Sequence, residues 1–143
     1  RDAGQPVVVV LVDEQHAQRD ALLAGQRREQ GLELLRPPHR RDDRHQDHRF
    51  ISDLTWQTFR SSLILEYEIP KYDGDLGNPN VFAEIPEPIA RRKIDILETS
   101  FTSQLDRHWY DAETFNSIMR LRGVESRSTS GYAEGFEGRK LIF

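Results

Sequence analysis

Apolar positions from residue 63 onward recur with periods that predict a series of elements. Leu63–Ile69, LILEYEI, reads as a strand closed by Pro70. Ala90, Ile94, Leu97, Phe101 and Leu105 fall on one stripe, which predicts a helix with Pro88 in its first turn, running to about Leu105. Phe115, Ile118, Met119 and Leu121 predict a further helix, capped by Asp111 and ended by Gly123. A helix over Asp47–Ser61 would bring Phe50 or Ile51, Leu54 and Thr58 to one side. KYDGDLGNPN, residues 71–80, is a loop by its Gly, Pro, Asn and Asp content, and Val81 and Phe82 follow as a short pairing segment. Ser126–Gly131 is a turn, and the apolar end of GYAEGFEGRKLIF suits a last strand.

The pattern is weaker before residue 50. A β-like run covers Val7–Val12, and Gln15–Arg36 suits a helix whose stripe is interrupted by Gly25 and Gly31 and stopped by Pro37-Pro38. All 13 aromatic residues lie at or after Phe50, whereas the first 49 residues hold nine arginines and no lysine. Aromatic side chains dominate core burial, so residues 1–37 read either as a strand–helix unit at the edge of an α/β domain or as an out-of-frame or decayed segment. The chain begins at Arg1 and its one methionine is Met119, which points to a fragment, a processed product or an incomplete gene model.

With 143 residues, 36% hydrophobic and 31% charged, the chain is long enough for one domain with a core. A net charge of −4 gives no global basic field for nucleic acid. No apolar run reaches bilayer length and no signal peptide is visible, so the expected location is cytoplasmic. Cysteine is absent, which leaves His and carboxylate as the only metal ligands.

Those ligand types concentrate in PPHRRDDRHQDHR, residues 37–49, which holds His39, Asp42, Asp43, His45, Asp47 and His48. His45 and His48 share a helix face at this spacing, so one can bind a metal while the other transfers a proton, and Asp47 can orient a ring. In the following loop, Lys71, Tyr72, Asp73 and Asp75 are candidates to line a sugar site, with ordinary turn chemistry as the alternative. His108, Trp109 and Tyr110 suit either packing or stacking on a sugar ring.

The stretch HRRDDRHQDHR, residues 39–49, resembles the second metal motif of the PIG-L/LmbE deacetylases, H-x-x-D-x-H-x-D-H. The resemblance continues through IPKYDGDLGNPNVF, RKIDILETSFTSQ, HWYDAETFNSIMRLRGVES and GYAEGF, covering about residues 38–143. It implies a Rossmann-like three-layer α/β fold, incomplete at the N-terminus, with residues 1–37 unmatched. The implied activity is zinc-dependent hydrolysis of the N-acetyl amide of a GlcNAc-type sugar conjugate. The implied roles are His48 as zinc ligand, His45 as the cation that stabilises the oxyanion or protonates the leaving amine, Asp47 as its support and Asp43 as a substrate-facing residue. In the family the other zinc ligands and the base come from an N-terminal HPDD-type motif. This chain contains no HPD, and His16 in EQHAQRD does not match it. The full zinc site is therefore expected to be missing and the chain inactive as given, with a catalytically inactive remnant or a sugar-binding module as the alternative reading.

Overall fold

In the computed structural model, residues 39–58 and 63–139 are described, and they belong to one unit, Pro38–Phe143. The expected strand Val7–Val12, the helix Gln15–Arg36 and the apolar end Leu141–Phe143 lie outside these residues.

Helix α1, Gln46–Thr58, carries Asp47 in its first turn, where a negative charge suits the helix dipole. Its inward face is not the expected apolar stripe: Phe50 is 67% and Leu54 47% exposed, while His48 and Ser52 are buried. A polar cluster, rather than apolar burial, sets the rotation of this helix. Strand β1, Leu65–Tyr67, is shorter than its hydrophobic run. At its centre Glu66 is fully buried. The Trp56 Nε1–H donates to it at 2.8 Å, the Arg41 backbone N–H at 3.2 Å and Arg139 Nε at 2.9 Å. A buried carboxylate with three donors carries little of the penalty of an unpaired one.

Residues 71–80 form the expected loop, with Gly74 at φ 58°. Strand β2 is Val81–Glu84. Helix α2, Glu87–Ser100, has Pro88 in its first turn and buries Ala90, Ile94 and Leu97. It ends before Leu105, and a short 3-10 turn follows at Thr102–Gln104. The break falls in Thr99-Ser100-Phe101-Thr102-Ser103, where hydroxyls compete for backbone groups; Thr99 Oγ1 donates to the Asp95 carbonyl at 2.6 Å.

Helix α3, Ala112–Glu125, starts at Asp111, whose Oδ1 accepts the Thr114 N–H at 2.7 Å. It does not end at Gly123. The glycine lies buried inside the helix, and a Cβ there would sit 2.1 Å from the Gly131 carbonyl oxygen. Its role is close approach to the following turn, and the helix closes instead at Ser126, ahead of Arg127 at φ 56°.

Strand β3, Ala133–Gly138, is central and antiparallel to both neighbours, in the order β1-β3-β2. Tyr67 pairs with Phe136 on one side and Val81 with Phe136 on the other. A lone parallel bridge joins His39 to Tyr67. The architecture of the described residues is thus mixed α/β, with three α-helices and a small antiparallel sheet. Its core gathers Ile85, Ala90, Ile94, Leu97, Tyr110, Phe115, Met119, Ala133 and Phe136. No helix among the described residues is long and apolar enough to cross a membrane.

Candidate functional site

The bridge to Tyr67 brings His39 to the edge of the sheet, and the turn at residues 40–45 carries the chain back to α1. This short excursion puts His39, Asp43 and His48 together: all three are buried, and one ligand atom from each lies within 4.8 Å of the others. The rings of His39 and His48 stack with centroids 3.7 Å apart and planes 6° from parallel. His48 Nδ1 lies 2.9 Å from Asp43 Oδ2. Asp43 Oδ1 accepts the His45 N–H at 2.8 Å and lies 3.1 Å from Lys71 Nζ. Lys71 in turn donates to Asp75 Oδ1 at 2.6 Å, and Asp75 Oδ2 accepts the Arg44 N–H at 2.9 Å.

Electrostatics follow from this geometry. Burial, reinforced by the charge of His48, pushes the His39 pKa down to about 3, against which the Asp43 carboxylate is a smaller opposing influence. His39 is therefore neutral at physiological pH. Burial would raise Asp43, but hydrogen bonds from His48, the His45 N–H and Lys71 outweigh it and hold the carboxyl below its usual range. Asp75 is lowered in the same way by Lys71 and the Arg44 N–H, against the effect of its burial.

Two buried side-chain atoms among the described residues have no hydrogen-bond partner: His39 Nδ1 and Ser52 Oγ. His39 Nε2 lies 3.0 Å from the Tyr67 hydroxyl. If Nε2 carries the ring proton and donates it to Tyr67, Nδ1 presents a bare lone pair inside the protein. An unsatisfied buried atom of this kind calls for a partner, a water or an ion, and the His39 side chain belongs to a group whose ligand atoms are close enough to share a cation. Two imidazoles and one carboxylate are a donor set suited to zinc or a similar divalent ion. The buried His39–Asp43–His48 group can hold a metal ion.

The other expected residues sit around this group. His45 and Asp47 are exposed, at 44% and 64%, and His45 Nδ1 lies 4.0 Å from Asp47 Oδ2. The His45 ring is 4.7 Å from that of His48, tilted by 39°. Asp43, expected to face substrate, instead turns inward to His48 and Lys71. The Lys71 ammonium is likewise turned inward, with a side chain only 9% exposed. Tyr72 is 62% exposed. Its hydroxyl is 3.0 Å from His108 Nδ1, and its ring meets Trp109 edge-on at 6.3 Å. His39 lies within the dense cluster but has no role legible in the sequence, because it stands nine positions from His48 with an irregular turn between them. Asp75 was one loop residue among several; its spacing of four from Lys71 was the available signal.

No family model, curated protein or solved structure matches the chain.

His39 makes the metal-free fold sensitive to acid. An unfolded chain binds a proton at this histidine below pH about 6.5, while the folded chain resists it down to about 3. The stability this contributes is complete above pH 6.5 and is lost as the pH falls toward 3. The full effect is roughly 5 kcal/mol. Urea titrations in the presence of a chelator should show stability falling steeply across this window, and His39→Phe should flatten the slope. An unchanged slope in that variant would assign the acid sensitivity to the carboxylates instead.

Proposed function

We propose that the chain is related to the zinc-dependent amide hydrolases of the PIG-L/LmbE type, whose members with both metal motifs would act on the N-acetyl group of a GlcNAc-type sugar conjugate, with the Rossmann-like layered fold of that family. The observation that carries the reading is the buried His39–Asp43–His48 group with its unpartnered His39 Nδ1, adjoining the exposed His45. His39, Asp43 and His48 would hold the ion. Bound there, zinc would supply Lewis-acid polarisation of the acetyl carbonyl and a more acidic water.

The remaining steps belong to the chain's own residues. His45 reaches solvent beside the group, so it can take up a proton and deliver it to the leaving amine, or present its charge to the developing oxyanion. Asp47 stands beside His45, with Oδ2 4.0 Å from its Nδ1, and can orient the ring. Tyr72 offers an exposed aromatic face and a hydroxyl to a sugar.

A second reading, a non-catalytic remnant that keeps a sugar-contacting surface, is favoured by one observation. Asp43 is already neutralised by Lys71 and bonded to His48, so the cluster is coherent without an ion. Zinc content and acetate release separate the two. The enzyme reading predicts one tightly held zinc per chain and acetate released from GlcNAc conjugates; absence of both would support the remnant. In an active preparation, Asp47→Asn should lower turnover about tenfold or more while lowering the melting temperature only slightly, because the side chain is largely exposed and gives up only its favourable place at the helix start. Equal loss of turnover and stability would remove Asp47 from the catalytic assignment.

A further inference from the structure

Lys71 has no place in the metal chemistry just described, yet it is the best-buried ammonium near the cluster. Its Nζ lies between two carboxylates, 3.1 Å from Asp43 Oδ1 and 2.6 Å from Asp75 Oδ1, and all three side chains are at most 9% exposed. Water therefore does little to screen its charge. A divalent ion on Asp43 would meet that charge at close range, and the two cations cannot share one carboxylate without strong repulsion.

The same geometry contains the remedy. Asp75 is the nearer of the two carboxylates to Lys71. It is fixed by the Arg44 N–H and stands beside Arg40, whose guanidinium donates to the Asp75 carbonyl. An ammonium released from Asp43 thus has a formed acceptor to retain.

We infer that Lys71 is the resident cation of the cluster: in the metal-free chain it supplies the positive charge at Asp43, and a divalent ion binds only as Lys71 withdraws onto Asp75. This rests on the metal reading of His39, Asp43 and His48 and adds the device that regulates its loading. Lys71 acts on the ion through Asp43 and is a positioning residue, and Asp75 is the counter-charge that lets it move.

The test is a Co²⁺ titration of the full chain, followed by visible absorption and by thermal melting. Lys71→Met should bind Co²⁺ about tenfold more tightly than the parent chain, whereas Lys71→Arg, which keeps the charge, should not gain affinity. Metal-free Lys71→Met should melt below the parent, and Co²⁺ should raise its melting temperature by more than it raises the parent's. Asp75→Asn weakens the retreat position and should shift Co²⁺ affinity the opposite way, so the inference stays testable even where Lys71→Met folds poorly. If the parent binds Co²⁺ and a folded Lys71→Met binds it no better, Lys71 is not the competing cation, and the metal reading stands alone. If neither binds Co²⁺, the metal reading fails and this inference fails with it.

Discussion

His48→Ala is expected to abolish metal retention, lowering affinity about a hundredfold or more. His48 is the link between the other two members of the group: its ring lies flat on His39, and its Nδ1 meets Asp43. Removing the imidazole takes away a ligand, opens a gap beside His39, and leaves Asp43 with the His45 N–H and Lys71 as partners. Losing a hydrogen bond to a buried carboxylate adds a stability cost of about 1–3 kcal/mol. Metal per chain after dialysis, measured alongside a denaturant titration, reads both effects. His45→Ala is the contrast. His45 is exposed and outside the three-residue group, so that variant should keep its metal and its stability and lose turnover. Retention of a full metal equivalent by His48→Ala would show that the ion, if bound, is held elsewhere.

The second large effect is structural. Gly123→Ala should destabilise the fold by roughly 3 kcal/mol or more. The added methyl would meet the Gly131 carbonyl oxygen at 2.1 Å and the Tyr132 nitrogen at 2.8 Å, both backbone atoms of the turn that leads into the central strand. Neither can swing aside as a flexible side chain would. The Ser128 N–H also donates to the Gly123 carbonyl at 2.9 Å, so displacing the helix costs that bond too. Gly74→Ala calibrates the result. Nothing lies within 4 Å of its missing Cβ, but its φ is 58°. It should therefore cost only about 1 kcal/mol, from backbone strain. Equal midpoints for the two alanine variants in urea would show that the α3–turn contact is looser than described.

These two predictions differ in how far the sequence announced them. The Asp111 cap was legible, because a short side-chain acceptor before a helix has only local work to do. Pro88 in the first turn and the stripe of Ala90, Ile94 and Leu97 were legible for a similar reason, since periodicity and φ restriction act along the chain. Gly123 was read as a stop because glycine is a common helix terminator, and nothing local reveals that Gly131 needs its space. The face of α1 was misread in the same manner. Phe50 and Leu54 looked like the inward side by hydropathy, but the inward positions His48 and Ser52 are set by Asp43, His39 and the sheet edge, which come from elsewhere in the fold.

By itself, the sequence determined the chemical alphabet of the site. Without cysteine, a side-chain metal site has to draw on histidine and carboxylate, which crowd into residues 39–48, and HQDH at 45–48 puts two of those histidines on neighbouring turns. It also determined the helix starts and the glycine-rich loop. Only the tertiary structure decided which of those residues converge. Pairing His39 with Tyr67 across the sheet edge brings it onto His48, turns Asp43 inward and draws Lys71 and Asp75 from the loop after β1. The physical reason is that helix and strand propensities are local free energies, whereas burial and charge pairing depend on distances that many residues jointly fix. His45 and His48 are three positions apart, yet one reaches solvent and the other is buried beside a carboxylate, and that difference separates the proposed proton carrier from the proposed ligand.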